Sequence, residues 1–150
     1  MATDRSAYPF AGSDGEHFHG EVAIASEVDI VSARKAVREA AVNLGFGVTD
    51  VTRIVTAASE LARNTFLYAG SGRMRWRRLS NGGRAAIELV FEDWGPGISD
   101  IASVMQDGYT SGGGLGMGLP GTKRLMDEME ISSEPGKGTT VTVRKWRREL

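Results

Sequence analysis

At 150 residues the chain is long enough for one domain with a buried core, and 41% hydrophobic against 25% charged residues is the balance of an ordinary soluble globular protein. A net charge of −1 gives no electrostatic reason for a nucleic-acid or membrane partner, and no apolar run reaches membrane-spanning length. The absence of cysteine excludes disulfides and thiolate metal sites, and with no secretion signal at the start it predicts a cytoplasmic protein.

Residues 1–20 mix Gly, Ser, Asp, Pro and aromatics without period, and predict a flexible leader ahead of a domain spanning 21–150. His17 and His19 fall in that leader and lack a second cluster to complete a metal site. Residues 21–25 alternate around Val22 and Ile24, as a short strand does. From Asp29 to Leu44 apolar residues at Ile30, Ala33, Val37, Ala41 and Leu44 make a helical stripe, stopped by Gly45. A second, clearer helix is capped by Thr49 or Asp50, carries Val51, Ile54, Val55, Ala58, Leu61, Ala62 and Thr65 on one face, and ends at Gly70. Residues 74–79 and 85–91 predict strands joined through Asn81-Gly82-Gly83. The second of these strands delivers Asp93 to its C-terminal end, with Glu92 pointing the other way into solvent. Residues 100–107 predict a short helix, and Pro120 opens another that runs through Leu125, Met126 and Met129. A closing hairpin follows, over 131–133 and 139–146 with a Pro135-Gly136 turn. Two basic strips, Arg73, Arg75, Arg77, Arg78 and Arg144, Lys145, Arg147, Arg148, alternate with apolar residues and read as solvated strand faces. Irregular alternation of helices and strands with two hairpins predicts a mixed sheet in an α+β or α/β sandwich.

Four short patterns carry chemistry. Glu60 and Asn64 stand one turn apart beside the apolar stripe of the second helix. A carboxamide oxygen there suits Mg²⁺ shared with phosphates, and the neighbouring carboxylate suits proton abstraction from an attacking hydroxyl. Two ordinary polar flank residues would give the same spacing. Asp93, followed by Gly95 and Gly97, can accept a hydrogen bond from an adenine amino group while the glycines admit the purine to the backbone, although turn formers alone make the same pattern. Gly114, Gly116 and Gly118 precede Leu119-Pro120, so a glycine lid would end at a helix N-terminus with its donors aimed at phosphates. That run matches neither the dinucleotide-binding nor the P-loop pattern, and an ordinary glycine loop remains the bland alternative. Last, Gly136-Lys137-Gly138-Thr139 enters the final strand, where Thr139 can support the base-binding carboxylate directly or through water. The order of all four along one chain argues for a nucleotide pocket more strongly than any one of them.

That order resembles the GHKL superfamily of ATP-binding domains, which includes gyrase, histidine kinases and MutL. The resemblance implies a Bergerat fold: a two-layer α/β (α+β) sandwich, a mixed sheet covered on one face by helices, and a mobile glycine-rich ATP lid. Within the superfamily the chain is most similar to the RsbT type of serine/threonine switch kinase. The segments that carry this likeness are Asp29-Ile30-Val31, Leu44-Gly45-Phe46-Gly47, Ser59-Glu60-Leu61-Ala62-Arg63-Asn64, Leu67-Tyr68-Ala69-Gly70 and Gly118-Leu119-Pro120-Gly121 with Lys123 to Glu128. The likeness covers residues 21–148 and implies ATP and Mg²⁺ as cofactors. It makes Glu60 the catalytic residue and Asn64 the metal ligand. It assigns nucleotide binding to Asn64, Asp93, Gly95, Gly97, Ile98 and Thr139, and along the lid to Thr110, Ser111, Gly113, Gly114, Leu115, Gly116, Met117, Gly118 and Leu119. Lys123 or Arg124 would add positive charge for the phosphates, or would be surface residues. The implied partners are STAS-domain antagonist and scaffold proteins of RsbS and RsbR type, and a downstream RsbU-like phosphatase or other effector, with no nucleic acid and no membrane. Trp94 departs from the smaller or polar residue expected beside Asp93. The rival reading is an anti-sigma factor or other nucleotide-dependent binding regulator of related fold. A sensor-kinase catalytic domain is disfavoured, because the chain has no phosphoacceptor helix.

Overall fold

The computed structural model describes residues 2–3, 17–105 and 118–148. Among them, six strands form one sheet in the order β1-β5-β6-β4-β3-β2. In chain order the elements are β1 (Ala2–Thr3), β2 (Gly20–Ile24), α1 (Glu27–Asn43), α2 (Val48–Ala69), β3 (Gly72–Asn81), β4 (Arg84–Asp93), α3 (Ile101–Val104), α4 (Gly118–Leu125), β5 (Glu128–Glu134) and β6 (Gly138–Trp146). The α+β sandwich is as the sequence predicts. Its described sheet, however, has only antiparallel neighbours, where a mixed pattern was the expectation. The connections explain the difference. Between β2 and β3 the chain makes two helical passes, so β3 returns antiparallel to β2. A single helical layer separates β4 from β5, which therefore run the same way, and β6 enters between them and pairs antiparallel with both.

The core lies between the sheet and α1, α2 and α4. Ala33, Val37 and Ala41 of α1 meet the stripe Val51, Ile54, Val55, Ala58, Leu61 and Ala62 of α2, over Met74, Ile87, Leu89, Phe91, Ile131, Val141 and Val143 of the sheet. Burying some twenty apolar side chains in one cluster fixes which face of each element turns inward, since each such side chain contributes roughly 1.5–3 kcal/mol relative to exposure. Helix α2 starts earlier than predicted, with Gly47 at the cap position and no side-chain cap. Asp50 sits in its first turn, where it is buried and bonds Arg53 and Arg148. Helix α4 is shorter than predicted. It stops at Leu125, and Met129 belongs to β5, whose alternating pattern puts Met129, Ile131 and Ser133 on the inner face. Asp127 ends the helix from both sides, accepting from the Trp146 N–H through its carboxylate and donating its own N–H to Arg144.

The sheet face away from the helices corrects the reading of the basic strips. Arg77 and Arg144 are buried, and Glu88 lies buried between them, 2.7 Å from each. Glu92, rather than pointing freely into solvent, pairs with Arg73 and Arg75. On the opposite face Lys145 is buried too, donating to the Leu125 carbonyl and facing Asp50 and Asp127. Alternation with apolar residues does not distinguish a solvated cation from one matched by a carboxylate on the next strand. Leu79, Ala86 and Trp146 close the face away from the helices at one end, and Phe18 packs over the Arg75 and Arg77 guanidiniums at the β2 edge.

Candidate functional site

One row across the sheet builds the floor of the site. Register places Gly72, Asp93, Thr139 and Ser133 side by side on β3, β4, β6 and β5, so their inner-facing positions share one line at the end of the sheet. Above that line, the C-terminal half of α2 brings Glu60 and Asn64 over the strand ends, and the turn after β4 brings Gly97 and Ile98 alongside. The N-terminus of α4 brings Gly118 and Leu119. These residues, with Asp93 and Thr139, line a single cavity of about 460 Å³. That volume is in the range of small-molecule sites.

Asp93 is held as an acceptor. Its carboxylate takes the Gly95 N–H at 3.0 Å and the backbone N–H of Thr139. Burial pushes its pKa above the ordinary carboxylate value, and these two donors only partly offset the desolvation. No side-chain cation faces it in an ion pair among the described residues. Two glycines let the chain close around it. At Gly138 a side chain would strike the backbone of Asp93 and Trp94, and φ is +122°. At Gly97, with φ +78°, it would strike the Glu134 carbonyl on the β5–β6 turn. The glycines therefore serve the approach of chain to chain as well as any approach of a ligand.

Glu60 and Asn64 face the cavity as the i, i+4 spacing predicts, and Glu60 also accepts from Arg63 at 3.0 Å. Arg63 lines the cavity and is a residue that sequence reasoning missed. Ser133 is another. Buried to 2% exposure, its hydroxyl accepts the Ile98 N–H at 2.7 Å, donates to the Gly138 carbonyl at 3.0 Å and lies 2.9 Å from the Thr139 hydroxyl. The signal for it was a serine in phase with Met129 and Ile131, which puts a hydroxyl indoors where it must find partners. Gly95 does not line the cavity itself; its N–H acts through Asp93. Lys123 and Arg124 are exposed and stand outside the cavity lining. Trp94 is 65% exposed beneath the Arg73 guanidinium, and is not part of the cavity wall. Thr110, Ser111, Gly113, Gly114, Leu115, Gly116 and Met117 lie outside the described residues. No group of three or more metal-ligating side chains occurs among the described residues. A metal ion here would depend on ligand oxygens, and Asn64 with Glu60 offers the oxygen donors that Mg²⁺ takes in that situation.

The sequence that builds this cavity matches a known domain. The model of the histidine kinase-like ATPase domain covers residues 24–145. The chain belongs to that family. It is 50% identical over 127 residues to the serine/threonine-protein kinase RsbT of Bacillus subtilis (strain 168), spanning 85% of this chain and 96% of that one. It is 32% identical over 120 residues to the anti-sigma F factor of Thermoanaerobacter sp. (strain X514), spanning 76% and 82%. In fold it is similar to the crystal structure of the RsbU and RsbW domains of Rv1364c from Mycobacterium tuberculosis. There the TM-score is 0.58 at 19% identity, over 87% of this chain and 34% of that one. With half of the aligned residues identical over 96% of the length of a serine/threonine kinase, the chain is an enzyme of that class. Among the described residues no helix is long and apolar enough to cross a membrane.

Proposed function

We propose that this chain transfers the γ-phosphate of ATP to a serine or threonine hydroxyl of a STAS-domain antagonist of RsbS type, and to RsbR-like scaffold proteins, in a cytoplasmic bacterial partner switch. Released from that complex, it activates an RsbU-like phosphatase or another effector. The observation that carries the reading is the meeting of Glu60, Asn64, Asp93, Gly97, Gly118 and Thr139 around one cavity, from segments far apart in sequence. Residues 21–150 carry the kinase chemistry; of the preceding 1–20, expected as a flexible leader, Ala2–Thr3 pairs with β5 and Gly20 opens β2.

The assignment of roles follows from chemistry. The Asp93 carboxylate accepts from the adenine amino group, and Thr139 sits beside it. The N–H groups at the start of α4 face the phosphates with the positive end of the helix. Asn64 would hold magnesium through its carboxamide oxygen, and the ion would supply charge neutralisation for the transferring group. Glu60 orients the acceptor hydroxyl and takes its proton as the oxygen bonds to the γ-phosphorus and the bond to the ADP oxygen breaks. Arg63 steadies the Glu60 carboxylate from one turn away. The test is phosphotransfer to a purified STAS-domain protein from radiolabelled ATP. Glu60→Ala and Asn64→Ala should each lose at least about a hundredfold in rate; transfer at the wild-type rate by both variants would refute the roles.

The similarity to anti-sigma F factors favours a second reading, a regulator that binds a sigma factor in a nucleotide-dependent way. Affinity capture separates the two: a sigma factor recovered in place of a STAS protein or phosphatase supports the regulator.

A further inference from the structure

We infer that Ser133 sets the hydrogen-bond polarity of the base pocket and thereby makes it select 6-amino over 6-oxo purine nucleotides. The inference rests on the adenine-nucleotide reading of the cavity and goes one step past it. A carboxylate alone does not make this choice. Asp93 can accept from the amino group of adenine, but it can equally accept from the N1–H and amino group of guanine. The neighbouring group has to decide.

That neighbour is Thr139, and a hydroxyl can donate or accept according to what else it touches. Its freedom is removed by Ser133. The Ser133 hydroxyl has one proton, and that proton goes to the Gly138 carbonyl at 3.0 Å. The bond of 2.9 Å between the two hydroxyls must then be made with the Thr139 proton. Ser133 Oγ, which also accepts the Ile98 N–H at 2.7 Å, is left fully used. Thr139 Oγ1 therefore turns only lone pairs toward the cavity that it and Asp93 line. Two acceptors side by side match the two N–H groups of a 6-amino substituent. A 6-oxo purine held by Asp93 through N1–H puts its carbonyl lone pairs against those of Thr139, with no proton between them. Burial of Ser133 to 2% exposure keeps water from exchanging these roles.

The experiment is calorimetry on the full chain with magnesium-ATP and with magnesium-GTP, for the wild type, Ser133→Ala and Ser133→Thr. The wild type should prefer ATP. In Ser133→Ala the Thr139 proton is released to turn into the cavity, so the ATP-to-GTP affinity ratio should fall about tenfold, the size of one hydrogen bond. GTP affinity should hold or rise. Ser133→Thr keeps the hydroxyl and should keep the ratio. A ratio unchanged in Ser133→Ala while both nucleotides weaken together would make Ser133 a packing residue only and overturn the inference. Equal affinity of the wild type for both nucleotides would overturn it as well. Should Ser133→Ala fail to fold, Thr139→Val, which removes the acceptor lone pairs altogether, must lower the ratio by weakening ATP while GTP holds or gains, and an unchanged ratio there is equally fatal. No uptake of either nucleotide by folded protein would instead remove the nucleotide reading itself, and this inference with it.

Discussion

Two rows of side chains cross the same sheet on opposite faces, five residues apart on β4, and they treat a buried carboxylate in opposite ways. On the face away from the helices, Arg77, Glu88, Arg144 and Glu128 stand in register on four strands with charge alternating in sign. Glu88 is bonded to a guanidinium on either side. On the helix side, Gly72, Asp93, Thr139 and Ser133 stand in register with a single carboxylate, which among the described residues is held by backbone N–H groups and faces no cation. The first row satisfies its charge and closes. The second leaves its charge under-satisfied and opens onto a cavity. The comparison teaches that the informative acid in this fold is the one whose environment is incomplete, because a buried carboxylate without a matched cation has acceptor capacity left for a ligand.

The largest effect expected from this contrast is at Glu88. Glu88→Ala leaves two buried guanidiniums facing each other and should destabilise the fold by about 3–5 kcal/mol, read by urea unfolding. ATP affinity of the fraction still folded should not change. Replacing the buried triad, Glu88→Leu with Arg77→Met and Arg144→Met, should recover most of that loss, because apolar side chains of similar volume have no desolvation to offset, while Glu128 keeps the bond from the Trp146 indole N–H. Loss of ATP binding in the triple variant would mean that the two rows communicate, and the contrast would fail.

Asp93→Asn comes next and should raise stability while lowering affinity. The raised pKa means that ionised Asp93 lowers the stability of the empty protein at neutral pH, so the neutral amide should raise the melting temperature. The same change removes a charged acceptor and should weaken ATP by roughly 10–100-fold in calorimetry. A variant that lost stability and affinity together would show Asp93 to be structural, like Glu88.

The sequence made one of these rows visible and hid the other. Asp93 and Thr139 were legible because each sits in a glycine motif whose order along the chain restricts what it can be. The α2 stripe and the Asn81-Gly82-Gly83 hairpin were legible because periodicity and turn chemistry are local. Arg77 and Arg144 were misread, and Glu88 was passed over, because the pairing that buries them joins residues as far apart as 56 positions, and nothing local marks a strand cation as matched. Ser133 escaped for a related reason: its partners Ile98 and Thr139 come from two other segments. Met129 was drawn into α4 by helical spacing, where tertiary pairing with Val143 takes it into β5.

The smallest effect is the most diagnostic, since it follows one proton. In the empty protein Asp93 takes up its proton at higher pH than it does unfolded, so the native state binds more protons than the unfolded state between the ordinary value of 3.8 and its raised one. Stability contributed by this group is therefore full below that window and is lost as pH rises through it. Binding runs the other way. An adenine amino group needs the ionised acceptor, so ATP affinity should fall as pH drops through the raised pKa, with a slope approaching tenfold per pH unit below it. The phosphates of ATP titrate as well, and Asp93→Asn, which keeps their contribution and lacks the carboxyl, supplies the subtraction. The difference between the two pH profiles belongs to Asp93. If the profiles of wild type and Asp93→Asn were parallel across the whole range, the amino group would not be resting on that carboxylate, and the contrast between the two rows would be one of packing alone.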